Sequence, residues 1–481
     1  MIAVRCGKTI PALLCVTVLS IVCGVIAIAA PPQELKLDDV WSGTLNVGAV
    51  KLRLAFHLKM NLDGSLTGTM DSPDQNALGL KVDKVLQGKD SVVIELKRLG
   101  AVFEGKLRDD GNAIVGTWKQ GDQSLPLELK RDVELKAPVR PQEPKPPFPY
   151  DVMEVSYANG AGKAKFVGTL TRPHIPGPLP AMLLITGSGS QNRDEELFGH
   201  KPFLLLADFL TRRGVAVLRV DDRGVGGSTG EVANATTDDF VGDALAGVEY
   251  LRTRPDIDNR RIGLLGHSEG ANIAIEVAEK TDRVSFIVLL APMSVSGDEL
   301  LFKQSELIAR ATGATEAAIQ LNRELQTGLF AAVKSKRNRA TMEADVEKVL
   351  AQWKSRLPAD AATAANDAAL KSEAARVLTP WFRRFLQYDP GPQLSQVRCP
   401  VFALFGERDL QVSPGQNRPP LEAALKASRR VDDEIRVFPS LNHLFQTCQT
   451  GLPDEYGTIE ETMSPAVLTA IGDWVVKHSA K

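Results

Sequence analysis

The pentapeptide Gly-His-Ser-Glu-Gly at residues 266–270 constrains the fold more than any other stretch of this sequence. An apolar run at residues 262–265 leads into it, and residues 271–278 continue with the small and apolar side chains of a buried helix. A strand, a sharp turn with a serine at its apex and a helix are the parts of a nucleophile elbow, which predicts Ser268 as a nucleophile. The elbow also accounts for Gly266 and Gly270, because a Cβ at either position would collide with the neighbouring strand or helix.

A second match to Gly-x-Ser-x-Gly occurs at residues 226–230, around Ser228. It follows a polar stretch at residues 221–225, and no helical pattern comes after it. Glycine and serine in this setting indicate a loop. For Ser268 the alternative is a glycine-rich helix start without chemistry, and partner residues elsewhere in the chain must decide between the two readings.

The first thirty residues have the pattern of an export signal. Arg5 and Lys8 form a short positive start, an apolar stretch covers residues 10–28, and small residues surround Ala29. We therefore expect a signal peptide at residues 1–29 and an exported protein, periplasmic or secreted. The apolar stretch is also near the length that spans a membrane, so an uncleaved N-terminal anchor is the alternative.

Composition narrows the class of protein further. A chain of 481 residues, 43% of them apolar and 24% charged, is typical of globular proteins and long enough for two or three domains. Its formal charge of −2 gives no reason to expect nucleic acid as a partner. Outside the signal, the cysteines are Cys399 and Cys448, which fall at opposite ends of the sheet predicted below, so we expect no disulfide.

Residues 34–132 indicate an all-β domain. Short runs alternate apolar and polar side chains, and turn signals such as the Asp-Gly pairs at residues 63–64 and 110–111 separate them. This pattern predicts about seven or eight strands in a small antiparallel barrel or sandwich. Six prolines between residues 138 and 149 then predict an extended linker at residues 133–150.

From residue 151 the pattern changes to alternating strands and helices. The uninterrupted apolar run at residues 181–185 is typical of a parallel strand that is buried on both faces. Residues 151–297 and 389–481 therefore predict a mostly parallel sheet with helices on both faces. Residues 298–388 are helical in pattern and interrupt this sheet, which favours a lid above the strand ends; a helical extension packed elsewhere is the alternative.

A serine hydroxyl becomes nucleophilic when a base accepts its proton, and histidine is the usual base. Among six histidines, His443 fits this role best. Its loop follows the last predicted strand, at the carboxyl edge of the sheet where the elbow also lies. His200, at the start of a helix, is the rival, and His267 directly precedes the serine, where its side chain should point away from Ser268.

The base needs a carboxylate that orients it, and this residue should also follow a strand. Asp409 lies four residues after the apolar run at residues 401–405, and Glu407 in the same loop is the alternative. The resulting chain order of serine, aspartate and histidine is the order expected of an α/β sheet with a nucleophile elbow.

A glycine-rich turn at residues 187–190 follows the strand at residues 181–186. Such a turn can aim backbone N–H groups at a negative charge that develops on a substrate oxygen. We predict an oxyanion hole formed by the backbone N–H groups of Ser188 and Glu269.

Residues 150–481 resemble the α/β-hydrolase superfamily, and within it bacterial esterases that carry an N-terminal β-domain and a Gly-His-Ser-Glu-Gly elbow. Besides the elbow, the resemblance includes residues 187–194, 221–226, 381–382, 388–390 and 406–409. It implies a serine carboxylesterase with Ser268, Asp409 and His443 as its triad. Serine peptidases with the same triad are distant relatives, so the resemblance narrows the mechanism more than the substrate.

The sequence therefore predicts an exported serine hydrolase that cleaves carboxylic esters of short to medium acyl length through an acyl-enzyme. No cluster of histidines and carboxylates has metal-ligand spacing, so we expect neither a metal nor a cofactor. The expected partner is a small-molecule ester, with no nucleic acid and with membrane contact only through an uncleaved N-terminal segment. Two alternatives are a serine peptidase of the same fold and an envelope binding protein with an ancillary hydrolase domain.

Overall fold

A computed structural model describes residues 37–480, apart from residues 48–49, 62, 76, 122, 132–138, 162, 336, 358–366, 429 and 431. The signal peptide expected at residues 1–29 lies outside these residues. Among the helices of the described residues, none has both the length and the apolar character that crossing a bilayer demands.

The N-terminal part of the described chain is one antiparallel sheet of nine strands, where the sequence predicted seven or eight. The strands are β1 (Asp39–Val47), β2 (Val50–Met60), β3 (Leu66–Ser72), β4 (Ala77–Lys81), β5 (Lys84–Gln87), β6 (Ser91–Leu96), β7 (Ala101–Leu107), β8 (Ala113–Gln120) and β9 (Gln123–Arg131). They lie side by side in the order β4-β3-β2-β1-β9-β8-β7-β6-β5.

This sheet curls upon itself. Strands β4 and β5 lie at opposite ends of the order, yet two residues connect them, and one of these, Val82, donates its backbone N–H to Gly68 O of β3 at 3.0 Å. Buried aromatic side chains fill the inside of the curl: the ring of Phe56 lies 6.3 Å from that of Phe103 and 6.4 Å from that of Trp118. The curl thus supplies this part of the chain with its own apolar core.

The second sheet has eight strands among the described residues, and helices pack against it. Its strands are β10 (Tyr150–Asn159), β11 (Ala164–Pro173), β12 (Leu179–Ile185), β13 (Ala216–Val220), β14 (Ile257–His267), β15 (Phe286–Leu290), β16 (Val401–Gly406) and β17 (Glu434–Phe438). Their order is β10-β11-β13-β12-β14-β15-β16-β17. The hairpin of β10 and β11 is antiparallel and the other six strands are parallel, which confirms the predicted mostly parallel sheet.

Helices follow the parallel strands, and a group of helices interrupts them. The helices are α1 (Pro202–Thr211), α2 (Thr237–Thr253), α3 (Glu269–Lys280), α4 (Gly297–Ala311), α5 (Glu316–Lys334), α6 (Arg339–Lys354), α7 (Asp367–Val377), α8 (Pro380–Gln387), α9 (Gly391–Gln396), α10 (Pro414–Ala427) and α11 (Pro465–Ser479). Helices α4 to α8 lie in the chain between β15 and β16, which are paired neighbours in the sheet. These helices share a buried apolar cluster that includes Phe330, Val346, Phe382 and Leu386.

The described part of the predicted linker, residues 139–149, contains neither helix nor strand, and its side chains bind loops of the second sheet. The guanidinium of Arg140 donates to four backbone carbonyls at 2.8–3.3 Å, those of Phe198, Gly199, Gly457 and Ile459. Gln142 accepts from Thr462 N at 2.6 Å and donates to Met463 O at 2.8 Å. The two loops around residues 198 and 460 are therefore held together by a segment outside the sheet.

We expect Arg140→Ala to lower the free energy of unfolding by about 2 kcal/mol or more, since it removes the charged donor from several carbonyls at once. Arg108→Ala is the matched control. Arg108 pairs with Glu128 at 3.4 Å on the exposed face of the N-terminal sheet, and its loss should cost less than about 0.5 kcal/mol. Denaturant unfolding of both variants compares the two costs, and equal small costs would contradict the bracing role of Arg140.

Candidate active site

The elbow sequence forms a sharp turn between β14 and α3. Strand β14 pairs with β12 on one side and β15 on the other, so it lies inside the sheet. At its end Ser268 has φ 55° and ψ −119°, a strained conformation for a residue with a side chain, and its backbone N–H donates to Leu290 O at 2.8 Å. The turn and this hydrogen bond hold Ser268 at the carboxyl edge of the sheet, at the first turn of α3.

Both elbow glycines are required by close backbone contacts. A Cβ on Gly266 would lie 2.0 Å from Gly270 O, and a Cβ on Gly270 would lie 2.2 Å from Ile185 O of β12. No side chain fits at such distances. The turn from strand to helix can therefore be this tight only with glycine at both positions.

The predicted acid and base are in contact at the same edge of the sheet. Asp409 and His443 are almost fully buried, and the carboxylate Oδ2 lies 2.7 Å from His443 Nδ1. The other carboxylate oxygen accepts the backbone N–H groups of Gln411 and Val412, each at 2.8 Å. Because the carboxylate accepts at Nδ1, the neutral imidazole carries its proton there and leaves Nε2 unprotonated.

The loops that carry the acid and the base pack directly on each other. A Cβ on Gly406, at the end of β16, would lie 2.4 Å from Leu441 O and 2.5 Å from Asn442 O. The fully buried Asn442 accepts the backbone N–H groups of Leu444 and Gln446 at 3.0 Å and so closes the turn around His443. These contacts fix the imidazole relative to the end of β16.

A cavity of about 400 Å³, here called the active-site cavity, brings the predicted residues together. Ser268 and His443 line it, and so do Ser188 and Glu269, the residues predicted for the oxyanion hole. Leu301 from α4 and Phe382 from α8 also line it, so helices of the inserted group cover the elbow. As the first residue of α3, Glu269 has a backbone N–H without an acceptor in its own helix.

The structure also shows a pair of residues that the sequence did not connect. Glu195 and His267 are both buried, and Glu195 Oε1 lies 3.0 Å from His267 Nδ1. The same oxygen accepts Gly187 N at 2.8 Å, and His267 Nε2 lies 3.0 Å from the carbonyl oxygen of His443. Both ring nitrogens thus face oxygen acceptors, which requires a proton on each and makes His267 an imidazolium beside the Glu195 carboxylate.

The electrostatics of His267 agree with this arrangement. Burial lowers its pKa, but the charge of Glu195, its hydrogen bond and the carbonyl of His443 outweigh burial, so the pKa lies above its ordinary value. The sequence assigned His267 no part in the site because its position before the serine directs the side chain away. In the structure its ring lies 4.8 Å from that of His443 and lines the active-site cavity.

The residues that the sequence offered as alternatives for the nucleophile, the base and the acid make other contacts. The buried Ser228 hydroxyl donates to Asp221 O and accepts Val167 N, so it closes a loop. His200 is buried between Thr462 and Tyr456, and burial lowers its pKa to about 4. Glu407 is exposed and accepts Ser440 N at 2.9 Å. Cys399 and Cys448 are both free thiols in the structure.

Among the residues that the structure describes, no group of three or more histidines, cysteines and carboxylates could hold a metal ion. The arrangement of the elbow, the acid loop, the base loop and the mostly parallel sheet is that of an α/β hydrolase. The chain belongs to the family described as serine aminopeptidase, S33, whose model matches residues 201–447, just over half of the chain.

Similar proteins include esterases. Esterase EstD of Thermotoga maritima is 27% identical over 315 residues, which cover 64% of this chain and 65% of that protein, so less than two thirds of the relative is matched. Among solved structures, esterase Pf2001 of Pyrococcus furiosus is 16% identical with a TM-score of 0.42 and covers 72% of this chain and all of its own. Such a TM-score is too low to add to the fold assignment.

We expect Glu195→Gln to destabilise the protein by about 3 kcal/mol at pH 6, because it keeps the shape but leaves the His267 imidazolium buried without a counter-charge. The raised pKa of His267 means that its contribution is complete below the unfolded pKa of about 6.5 and is lost as the pH rises through the folded-state pKa. Thermal unfolding from pH 6 to pH 10 should therefore show the two proteins converging at high pH.

Glu196→Gln is the matched control for this prediction. Glu196 is less buried and contacts Asn192 at 3.1 Å, so its neutralisation should shift the thermal midpoint little at any pH. A Glu195→Gln penalty that did not change with pH would contradict the ion pair.

Proposed function

We propose that this protein is a serine esterase that hydrolyses carboxylic esters of small molecules through an acyl-enzyme. The observation that carries the proposal is the buried hydrogen bond between Asp409 and His443, together with the cavity that His443 and Ser268 both line. Acyl transfer by a triad requires a buried carboxylate that fixes a histidine tautomer, and a serine hydroxyl that a substrate can reach. The similarity to EstD supports the ester as substrate class.

In the proposed mechanism, His443 Nε2 accepts the proton of Ser268 Oγ as this oxygen attacks the ester carbonyl carbon. Asp409 stabilises the imidazolium that results, without taking its proton. The imidazolium then protonates the alkoxy oxygen, the carbon–oxygen bond breaks, and the alcohol leaves an acyl group on Ser268. Water, with His443 again as the base, then attacks the acyl carbonyl carbon of this acyl-enzyme. The bond to Ser268 Oγ breaks, which releases the carboxylic acid and restores the serine.

The negative oxygen of each tetrahedral intermediate is proposed to accept the backbone N–H groups of Ser188 and Glu269. Glu269 supports this assignment because the N-terminus of a helix favours negative charge. Its side chain is held away from that position: Oε1 accepts Thr237 Oγ1 at 2.8 Å and Trp381 Nε1 at 2.9 Å. For Ser188, the bond between Gly187 N and Glu195 anchors the turn immediately before it.

A serine aminopeptidase is the second candidate, since the family description names that activity. An aminopeptidase must bind the α-ammonium of its substrate, which requires an accessible carboxylate near the serine. Of the described residues that line the active-site cavity, Glu269 alone carries a carboxylate, and Thr237 and Trp381 already donate to it. The lining therefore favours an uncharged ester.

The proposal includes export to the periplasm or the medium, and its support is the charge and hydropathy pattern of residues 1–29. It requires neither a metal nor a cofactor, because the serine, histidine and aspartate side chains with two backbone N–H groups supply every proton and charge that the reaction needs.

Covalent labelling with a fluorophosphonate tests the nucleophile. We expect labelling of the wild type, none of Ser268→Ala, and a loss of esterase activity of about five orders of magnitude in that variant. Ser228→Ala is the matched control, because Ser228 occupies the second Gly-x-Ser-x-Gly match, and it should label as the wild type does. A folded wild type that takes no label would favour the alternative of a binding protein with an inactive hydrolase domain.

A substrate panel separates the two enzymatic candidates. With p-nitrophenyl esters and aminoacyl p-nitroanilides, kcat/KM should be higher for the esters. Glu269 carries the one carboxylate among the described lining residues, and it already accepts two hydrogen bonds at Oε1. Efficient cleavage of the anilides together with negligible ester hydrolysis would overturn the esterase in favour of the peptidase.

A further inference from the structure

A second cavity, of about 590 Å³, lies next to the active-site cavity, and we call it the side cavity. It lies between the ends of β12 and β13, helices α2 and α3, and the beginning of α8. Apolar side chains from these elements and from β11 line it, among them Phe166, Leu183, Val220, Phe240, Ala244 and Ile273. Its volume is within the range of roughly 300–1,000 Å³ that small-molecule sites have.

The charged residues in the wall of the side cavity have protein partners. Asp222 accepts Thr186 Oγ1 at 2.7 Å and the backbone N–H of Gln191 at 2.8 Å. Arg223 donates to both carboxylate oxygens of Asp243, at 2.7 and 2.9 Å. Because these groups are hydrogen-bonded within the protein, a ligand in the side cavity meets mainly hydrocarbon surface. The side cavity therefore suits an apolar ligand.

The side cavity adjoins the site at its oxyanion end. Gly187, Ser188, Glu269 and Trp381 line both cavities and form the boundary between them. Ser268 and His443 line the active-site cavity and are absent from the described residues around the side cavity. A substrate group that extends past Ser188 and Glu269 into the side cavity would therefore lie away from His443.

This order determines which half of an ester can reach the side cavity. His443 must protonate the alcohol oxygen, so in the proposed mechanism the alcohol lies on the His443 side of the carbonyl carbon. The acyl chain extends from the same carbon in a different direction. In the proposed mechanism the oxyanion on this carbon points at Ser188 and Glu269, which line both cavities. The acyl chain is thus the half that the side cavity can accept.

We propose that the side cavity binds the acyl chain of the substrate and favours chains of medium length, about eight carbons, over acetyl groups. The proposal rests on the esterase function proposed above. The apolar wall gives the methylenes of such a chain hydrocarbon contact, and each buried methylene strengthens binding about fourfold. Acetyl esters would leave the side cavity empty and would gain nothing from it.

Narrowing the side cavity should change the preference for acyl length. Ala244 on α2 lines the side cavity and not the active-site cavity, so Ala244→Phe places a ring in the proposed path of the chain. We expect kcat/KM for p-nitrophenyl octanoate to fall by roughly tenfold or more, and that for p-nitrophenyl acetate to stay within about threefold of the wild type. Fluorophosphonate titration of active sites corrects both values for misfolded protein.

Phe240→Ala provides the converse test if the larger ring prevents folding. It widens the side cavity and should raise the ratio of kcat/KM for dodecanoate over that for octanoate. Leu301→Phe is the matched control, because Leu301 lines the active-site cavity alone. With p-nitrophenol as the alcohol throughout, this control should change kcat/KM by the same factor at every acyl length.

The outcomes distinguish this inference from the proposed function. If the wild type hydrolyses acetyl and octanoyl esters and neither Ala244→Phe nor Phe240→Ala changes their ratio, the side cavity does not bind the acyl chain and the esterase stands. If the wild type hydrolyses no ester and takes no fluorophosphonate, the proposed function itself fails.

Discussion

A buried pair of charges, Glu195 and His267, connects the three loops on which the site depends. Glu195 binds Gly187 N in the turn before the proposed oxyanion residue Ser188, and His267 belongs to the elbow. The second ring nitrogen of His267 binds the carbonyl oxygen of His443. Burying two charges costs free energy that only good geometry and complete hydrogen bonding offset. Here Glu195 bonds its own loop to the elbow, and His267 bonds the elbow to the loop of His443. The pair therefore fixes the relative positions of the proposed nucleophile, the proposed base and the proposed oxyanion turn.

The rest of the site follows from how tightly the backbone packs around that pair. Gly266 and Gly270 allow β14 to turn into α3 with backbone atoms in direct contact, and Gly406 allows the acid and base loops to do the same. The inserted helices then cover the elbow and line the active-site cavity, and the side cavity adjoins it at Ser188 and Glu269. Segment 139–149 holds the loops around residues 198 and 460 from outside, which gives the N-terminal part of the chain a structural link to the site.

The sheet and the candidate residues could be predicted from sequence because local patterns carry them. Buried parallel strands appear as apolar runs, and the residues after their carboxyl ends meet at one edge, which is how Ser268, Asp409 and His443 came to be named together. The contact of His267 with Glu195 could not be predicted, because 72 residues separate them and no periodicity joins them. The ninth strand was missed because β4 and β5 have only five and four residues. The hydrogen bonds of Arg140 could not be predicted either, because their acceptors are backbone carbonyls, which every residue has.

The central claim is that the substrate acylates Ser268. In this reaction the oxyanion accepts the backbone N–H groups of Ser188 and Glu269, and the acyl chain lies in the side cavity. A crystal structure of the protein after reaction with a p-nitrophenyl octylphosphonate ester tests it most directly. We predict a phosphorus–oxygen bond to Ser268 Oγ, a phosphoryl oxygen within hydrogen-bond distance of both backbone N–H groups, and the octyl chain against Phe240 and Ala244. Phosphorus on another residue, or an octyl chain that runs under the inserted helices instead, would contradict the account.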